Sequence, residues 1–226
     1  MTGVDGPRAA ELAANLAEVR ERVAAAARRA GRDPGSVRLI GASKTVPAED
    51  LAVVVGLGLT DLGENRAQEL LAKAPVLAGL GVVPTWHFVG QLQRNKVAAL
   101  APHVRCWQSV DRLPLGEAIA RRAPGARVLV EVNLGEEPQK GGAAPGEVPG
   151  LVDALGSLGL EVAGLMTVAP LAGEPAHWFG ALADLAGRLG LAELSMGMSG
   201  DFEVAIAHGA TMVRVGTALF GARPRP

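Results

Sequence analysis

Tyrosine is absent from this chain of 226 residues, cysteine occurs once and lysine only four times. Each shortage closes a class of chemistry. Without tyrosine, no phenol is available as an acid or base. A lone Cys106 permits no disulfide framework within the chain. It sits between Arg105 and Trp107 with no base nearby in sequence, so packing is its expected role. Four scattered histidines (His87, His103, His177 and His208) and that one cysteine form no ligand cluster, so no metal site is expected. Lysine plus arginine number 22 against 23 acidic residues, which leaves no basic field for nucleic acid. The opening MTGVDGPRAAEL lacks the basic-then-apolar layout of a secretory signal. No membrane partner is therefore expected, and the cytoplasm is the expected compartment. Neither a GxxxxGK[ST] loop nor a GxGxxG turn is present, so the familiar nucleotide cradles are unsupported.

What the chain does contain is a repeat. Apolar, β-branched runs bounded by turn residues recur at 37–44, 59–65, 85–90, 104–111, 127–134, 160–169, 192–199 and 211–221. Their spacing, about 25 residues, accommodates a strand, a crossover helix and two short loops. Helix-like stretches lie between them at 47–55, 66–73, 95–100, 113–122, 147–155 and 174–189, and a long Ala- and Arg-rich helix at 8–30 precedes the first strand. Eight parallel strands can close on themselves and hide every sheet edge. The expected fold is an α/β class single (β/α)8 TIM barrel with an extra N-terminal helix, packed across its outside or bottom. One domain spans 1–226: residues 1–36 form the helix and lead-in, and 37–221 the barrel. The one long loop, 135–150, follows strand five.

Barrels of this kind concentrate function where strands end. The polar residues closing the eight strands are Lys44, Asn65, His87, Asp111, Asn133, Thr167, Ser199 and Thr217, placed above an interior expected to be an apolar plug. Lys44 has two readings. A desolvated amine at a barrel mouth is a nucleophile suited to forming a Schiff base with an aldehyde; a rim lysine equally lays its stem on apolar surface and keeps its head hydrated. Of the others, Lys73 ends a helix, Lys96 starts one on the outside, and Lys140 lies in the long loop, from which it could reach over the mouth. Strands seven and eight leave through SMGMSG and VRVGTALFG. There Gly200 and Gly216 can present bare N–H groups, and Ser199 and Thr217 add hydroxyls, either to bind phosphate or simply to end strands. Arg214, inside strand eight, needs a partner: a ligand acceptor or Glu131 of strand five.

The segments GASKTVPAEDL (41–51), LGENRAQEL (62–70), WHFVGQLQRNK (86–96), GLMTVAP (164–170) and SMGMSGDFEVAIAHGATMVRVGTALFG (195–221) closely resemble the pyridoxal phosphate homeostasis proteins, the YggS or PROSC family. The resemblance runs from about residue 11 to residue 221. It implies a barrel similar to the N-terminal domain of bacterial alanine racemase, holding pyridoxal 5′-phosphate (PLP) as a covalent aldimine on Lys44. It also implies a phosphate cradle of Ser199, Gly200, Gly216 and Thr217, Arg214 near the pyridine nitrogen, and Asn65 and Met166 lining the ring. The chain departs from the pattern at Val46, where a second lysine is common, and at Gln108, where histidine often precedes Ser-Val-Asp. Lys140 then becomes the transfer partner to expect.

The implied role is a PLP-binding protein for cofactor storage, buffering and delivery, a monomer serving apo PLP-dependent enzymes, with no catalytic residues of its own. The alternative is a PLP-dependent racemase or lyase with Lys44 as sole base. Alanine racemase uses a tyrosine as its second base, and none exists here. An arginine against the pyridine nitrogen leaves the ring unprotonated and a poorer electron sink.

Overall fold

A computed structural model describes residues 6–170 and 172–222. Its first helix, α1 (Gly6–Arg29), buries Leu12, Leu16, Val19, Val23, Ala26 and Ala27. That 4-3-4-3 spacing is one face of a helix. Arg28 and Arg29 occupy its last turn, where cations favour the helix carbonyls, and Gly31 follows in the left-handed conformation (φ 67°) that ends such helices.

The repeat then runs β1 (Arg38–Ala42), α2 (Ala48–Gly56), β2 (Asp61–Glu64), α3 (Ala67–Gly79), β3 (Thr85–Phe88), α4 (Val97–Leu100), β4 (Val104–Val110), α5 (Leu113–Arg122) and β5 (Arg127–Glu131). It continues with α6 (Val148–Ser157), β6 (Glu161–Met166), α7 (Pro175–Arg188), β7 (Glu193–Ser195), α8 (Phe202–Ala207), β8 (Met212–Val215) and α9 (Thr217–Phe220). All eight strands are parallel and pair in sequence order. The ring closes between β1 and β8, with Ile40 opposite Arg214 and Gly41 opposite Val215. This is the (β/α)8 TIM-type barrel. Helix α1 lies on its outside against α2, α8 and α9. Arg8 fastens it there by donating to the Asp50 carboxylate (2.7 Å) and the Phe220 carbonyl (2.9 Å).

Three local expectations need correction. The helix expected at 95–100 is a 3-10 turn (Arg94–Lys96) running into the single turn of α4. Lys73 does not end α3; the helix continues through Pro75 to Gly79 because Ala74 and Leu77 still face the core. Thr217 is not a strand terminus but the first residue of α9.

The apolar plug is the larger correction. Ile40, Cys106, Leu129, Met166 and Met212 do form a small buried cluster apart from the main core. Beside it, the buried residues include His87, Gln108, Ser195 and Arg214. The interior is half polar, and its polar groups are hydrogen-bonded to one another, as burial requires. No helix among the described residues is long and apolar enough to cross a membrane.

Candidate functional site

Lys44 follows β1 and is partly buried; among the described residues its Nζ has no hydrogen-bond or ion-pair partner. Its neighbours are held tightly. The Ser43 carbonyl accepts from Lys73 Nζ (2.7 Å), and the Thr45 N–H donates to Glu69 Oε2 (2.7 Å). Thr45 has φ 62°, a left-handed conformation that costs a β-branched residue about 1–3 kcal/mol and persists only where surroundings enforce it. Lys73 provides the enforcement. Its ammonium also donates to Glu64 Oε1 (2.6 Å) and Glu69 Oε2 (2.8 Å). Glu64, fully buried at the end of β2, accepts in addition from Ser43 Oγ and from the N–H groups of Asn65 and Arg66. Burial alone would raise the Glu69 carboxyl pKa, but the bonds from Lys73 and Thr45 hold it below its ordinary value. The lysine that reads as a helix terminus is thus the clamp behind the free one.

Lys44 lines a cavity of about 380 Å³ together with Ala42, Val46, Pro47, Gly216 and Thr217. Ser199 stands between β7 and α8, and its Oγ accepts from the N–H groups of Gly216 (3.2 Å) and Ala218 (3.3 Å), tying the two turns together. The N–H groups of Ser199, Gly200 and Thr217 donate to nothing among the described residues. Gly200 and Thr217 are exposed. The free amine and the bare Thr217 N–H therefore share one cavity, which Arg8, Glu11 and Asp50 also line, and the Ser199–Gly216 bond ties the turn carrying the bare Ser199 and Gly200 N–H groups to its edge. That donor set fits an anion with an electrophilic carbon nearby.

Arg214 settles neither way between the two partners considered for it. No ion pair to Glu131 forms; Nη1 donates to Ser195 Oγ (2.6 Å) and Nη2 to the Thr167 carbonyl (2.8 Å). Burial lowers its pKa to about 10, against the opposing fields of Glu131 and Asp201. Glu131 itself has a buried Oε2 without a partner. Burial, and then the nearby Asp111, push its carboxyl up to about 7, while Arg214 pulls the other way.

A carboxyl whose pKa rises on folding favours the folded state below its ordinary value of 4.5 and loses that advantage as the pH climbs through about 7. Stability should therefore fall by up to about 3 kcal/mol between pH 4 and pH 8 from this group alone. Glu131→Gln is expected to flatten that dependence, matching the parent near pH 4 and exceeding it at pH 8, as measured by urea unfolding at the two pH values.

Asn65 and Met166 are placed differently from Lys44. Asn65 lines a separate polar cleft of about 560 Å³ with Arg66, Lys96, Arg112 and Lys140. Its Oδ1 is buried and unpartnered. The chain passes it closely at Gly90, where an added Cβ would lie 2.3 Å from the Asn65 carbonyl. Met166 ends β6, fully buried in the small interior cluster. Lys140 pairs with Glu137 (2.5 Å), and its Nζ also lies 3.4 Å from the Ala169 carbonyl. Several rim residues serve the scaffold: Asn133 exchanges two bonds with the Glu137 backbone, and Thr167 donates to the Val132 carbonyl. His87 leaves the rim altogether. It points into the barrel, where Nε2 meets Asp61 at the opposite end of β2. Cys106 is buried, its thiol pushed up to about 12 by desolvation first and the Glu193 charge second. Sequence alone does not single out Lys73, Glu64 and Glu69; the Glu69–Lys73 i,i+4 spacing is the one readable trace of the clamp.

Comparison with known proteins adds four likenesses. The alanine racemase N-terminal domain family matches residues 11–224. The pyridoxal phosphate homeostasis protein of Pseudomonas aeruginosa is 42% identical over 222 residues, spanning 94% of this chain and 96% of that one. Its counterpart in Aquifex aeolicus is 43% identical over 222 residues, spanning 92% and 96%. Among solved structures, PipY of Synechococcus elongatus with PLP bound superimposes with a TM-score of 0.79 at 34% identity, covering 93% of this chain and 100% of that one.

Proposed function

Because this chain belongs to the pyridoxal phosphate homeostasis proteins, a family built on the alanine racemase N-terminal domain, we propose that it binds PLP and holds it for intracellular storage, buffering and delivery. The observation that carries this reading is the unpartnered Nζ of Lys44 in one cavity with the turn that opens α9. When bound, PLP supplies an electrophilic aldehyde, a conjugated ring and a phosphate. Lys44 holds the aldehyde as a Schiff base. Ser199, Gly200 and Thr217 would hold the phosphate with their free N–H groups beside Gly216, whose own N–H is given to Ser199 Oγ. Arg214 would stand at the pyridine nitrogen, and Asn65, reaching from its neighbouring cleft, and Met166 would border the ring.

A carrier rather than a catalyst is the better match to the chain's own groups. No tyrosine is present to act as a second base. Arg214 is buried with its charge fixed by two acceptors, so the group facing the ring is a cation and not a carboxylate that would keep the nitrogen protonated. The protein works in the cytoplasm as a monomeric, single-barrel unit, and apo PLP-dependent enzymes are its recipients.

Borohydride reduction of PLP-loaded protein, followed by peptide mass spectrometry, tests the reading. The expected result is a pyridoxyl adduct on the peptide containing Lys44. An adduct only on Lys96 or Lys140, or none, overturns the assignment. Incubation with alanine, serine and threonine tests the carrier role separately: no turnover beyond trace is expected, and sustained racemisation or elimination overturns it.

A further inference from the structure

A chain of hydrogen bonds crosses the barrel interior from β8 to the far end of β2. Arg214 Nη1 donates to Ser195 Oγ (2.6 Å), and Ser195 donates to Gln108 Oε1 (2.7 Å). Gln108 Nε2 meets His87 Nδ1 (2.8 Å), and His87 Nε2 meets Asp61 Oδ1 (2.9 Å). Four of the five members are at most 5% exposed, so water does not substitute for the three bonds among them; only Asp61, at the far end, is partly exposed.

The two ends dictate the direction of every link. A guanidinium only donates and a carboxylate only accepts. Ser195 must then accept from Arg214 and send its single proton to the Gln108 carbonyl oxygen. The Gln108 amide is thereby oriented with its NH₂ toward His87, whose Nδ1 must accept and whose proton must sit on Nε2, facing Asp61. Asp61 is suited to that end. Burial would raise its carboxyl pKa, yet the bonds from His87 and Thr60 and the charge of Arg38 hold it below the ordinary value. Each side chain has one arrangement that satisfies both neighbours. Gln108 bridges β4 to β7 across the barrel, and removing it leaves the hydroxyl of Ser195 free to turn away from its role.

We propose that Gln108, acting through Ser195 and braced by His87 and Asp61, is a positioning residue that fixes the plane and donor direction of the Arg214 guanidinium toward the bound cofactor's ring. This rests on the reading of Arg214 as the residue at the pyridine nitrogen. The second fixed point is the Thr167 carbonyl on Nη2, so the guanidinium is held by two acceptors on different nitrogens. Without the first, it can rotate about the second.

The test compares Gln108→Leu, Gln108→His and Arg214→Met with the parent protein, each titrated with PLP and, separately, with inorganic phosphate, and each recorded for its Schiff-base absorption band. A neutral imidazole offers one acceptor and one donor nitrogen, as the amide offers one acceptor oxygen and one donor nitrogen, so histidine preserves the direction of the chain. Gln108→Leu is expected to weaken PLP binding about tenfold and shift the band, with phosphate affinity within twofold of the parent. Gln108→His is expected to restore both. Parallel loss of phosphate affinity in Gln108→Leu, unaltered PLP affinity and band, or failure of histidine to restore them overturns the proposal. If Gln108→Leu does not fold, Ser195→Ala, which removes only the hydroxyl that Arg214 touches, must reproduce the band shift for the proposal to stand. If Arg214→Met binds PLP as the parent does with an unchanged band, the reading of Arg214 fails and takes the proposal with it. If Arg214→Met weakens binding while Gln108→Leu does not, only the positioning chain is wrong.

Discussion

Lys73→Met is expected to destabilise the folded chain by about 3–5 kcal/mol, the cost of leaving a buried charge without its partner. The reason lies in Glu64, whose side chain has no exposed surface and whose Oε1 receives the Lys73 ammonium at 2.6 Å. Methionine keeps the length and much of the apolar stem of lysine, so little packing is lost. What disappears is three hydrogen bonds at once: to Glu64, to Glu69 and to the Ser43 carbonyl. Glu64 retains Ser43 Oγ and two backbone N–H donors, but no cation. The companion Glu64→Gln removes the stranded charge. In the double variant most of the loss should return, because an uncharged amide beside methionine needs no counterion. Urea unfolding of the parent, the two single variants and the double variant measures the coupling directly. A double variant no more stable than Lys73→Met would show that the loss comes from packing, not from the buried charge. The effect extends to the corner around Lys44, since Lys73 and Glu69 hold the residues on both sides of it, including strained Thr45.

Strand count, order and parallel sense were legible because each βα unit repeats its own pattern within about 25 residues, and local periodicity survives folding intact. That Lys44 and the turns at Ser199 and Gly216 lie beyond strand ends was legible for a related reason, since glycine and polar residues closing an apolar run mark a strand end in a linear sequence; that the Gly216 N–H is taken by Ser199 Oγ was not. The interior was not. His87, Gln108, Ser195 and Arg214 sit on strands three, four, seven and eight, and only closure of the sheet brings them within bonding distance. A buried glutamine in strand four reads like any polar strand residue until its partners across the ring are known. Closure also explains the error over Lys73. Its burial depends on Glu64, nine residues earlier and on the neighbouring strand, whereas the helix pattern around Ala74 and Pro75 suggests an end. The Arg214–Glu131 question turned on a distance that no spacing in the chain encodes.

Lys44→Ala is expected to abolish the Schiff-base absorption band and the borohydride-dependent adduct completely, while leaving folding stability within about 0.5 kcal/mol of the parent. The two halves of that expectation come from one feature. Nζ of Lys44 bonds to nothing among the described residues, so the fold loses little when it goes. The backbone around it is held by other groups, Lys73 on the Ser43 carbonyl and Glu69 on the Thr45 N–H, so the loop should keep its shape without the side chain. The free N–H groups of Ser199, Gly200 and Thr217, which the proposed function assigns to the phosphate beside Gly216, are likewise untouched. PLP should therefore still bind, non-covalently, with a dissociation constant raised at least tenfold, or about 1.4 kcal/mol. Lys44→Arg separates charge from covalency. It restores a cation to the cavity but offers no nucleophilic amine, because the guanidinium stays protonated. If the link to the aldehyde is what holds the cofactor, arginine will bind PLP no better than alanine does and will show no band. If arginine instead recovers parental affinity, the amine serves only as a counter-charge to the phosphate, and covalent capture is excluded. A band that persists in Lys44→Ala would move the link to Lys96 or Lys140, both of which line the cleft beside Asn65.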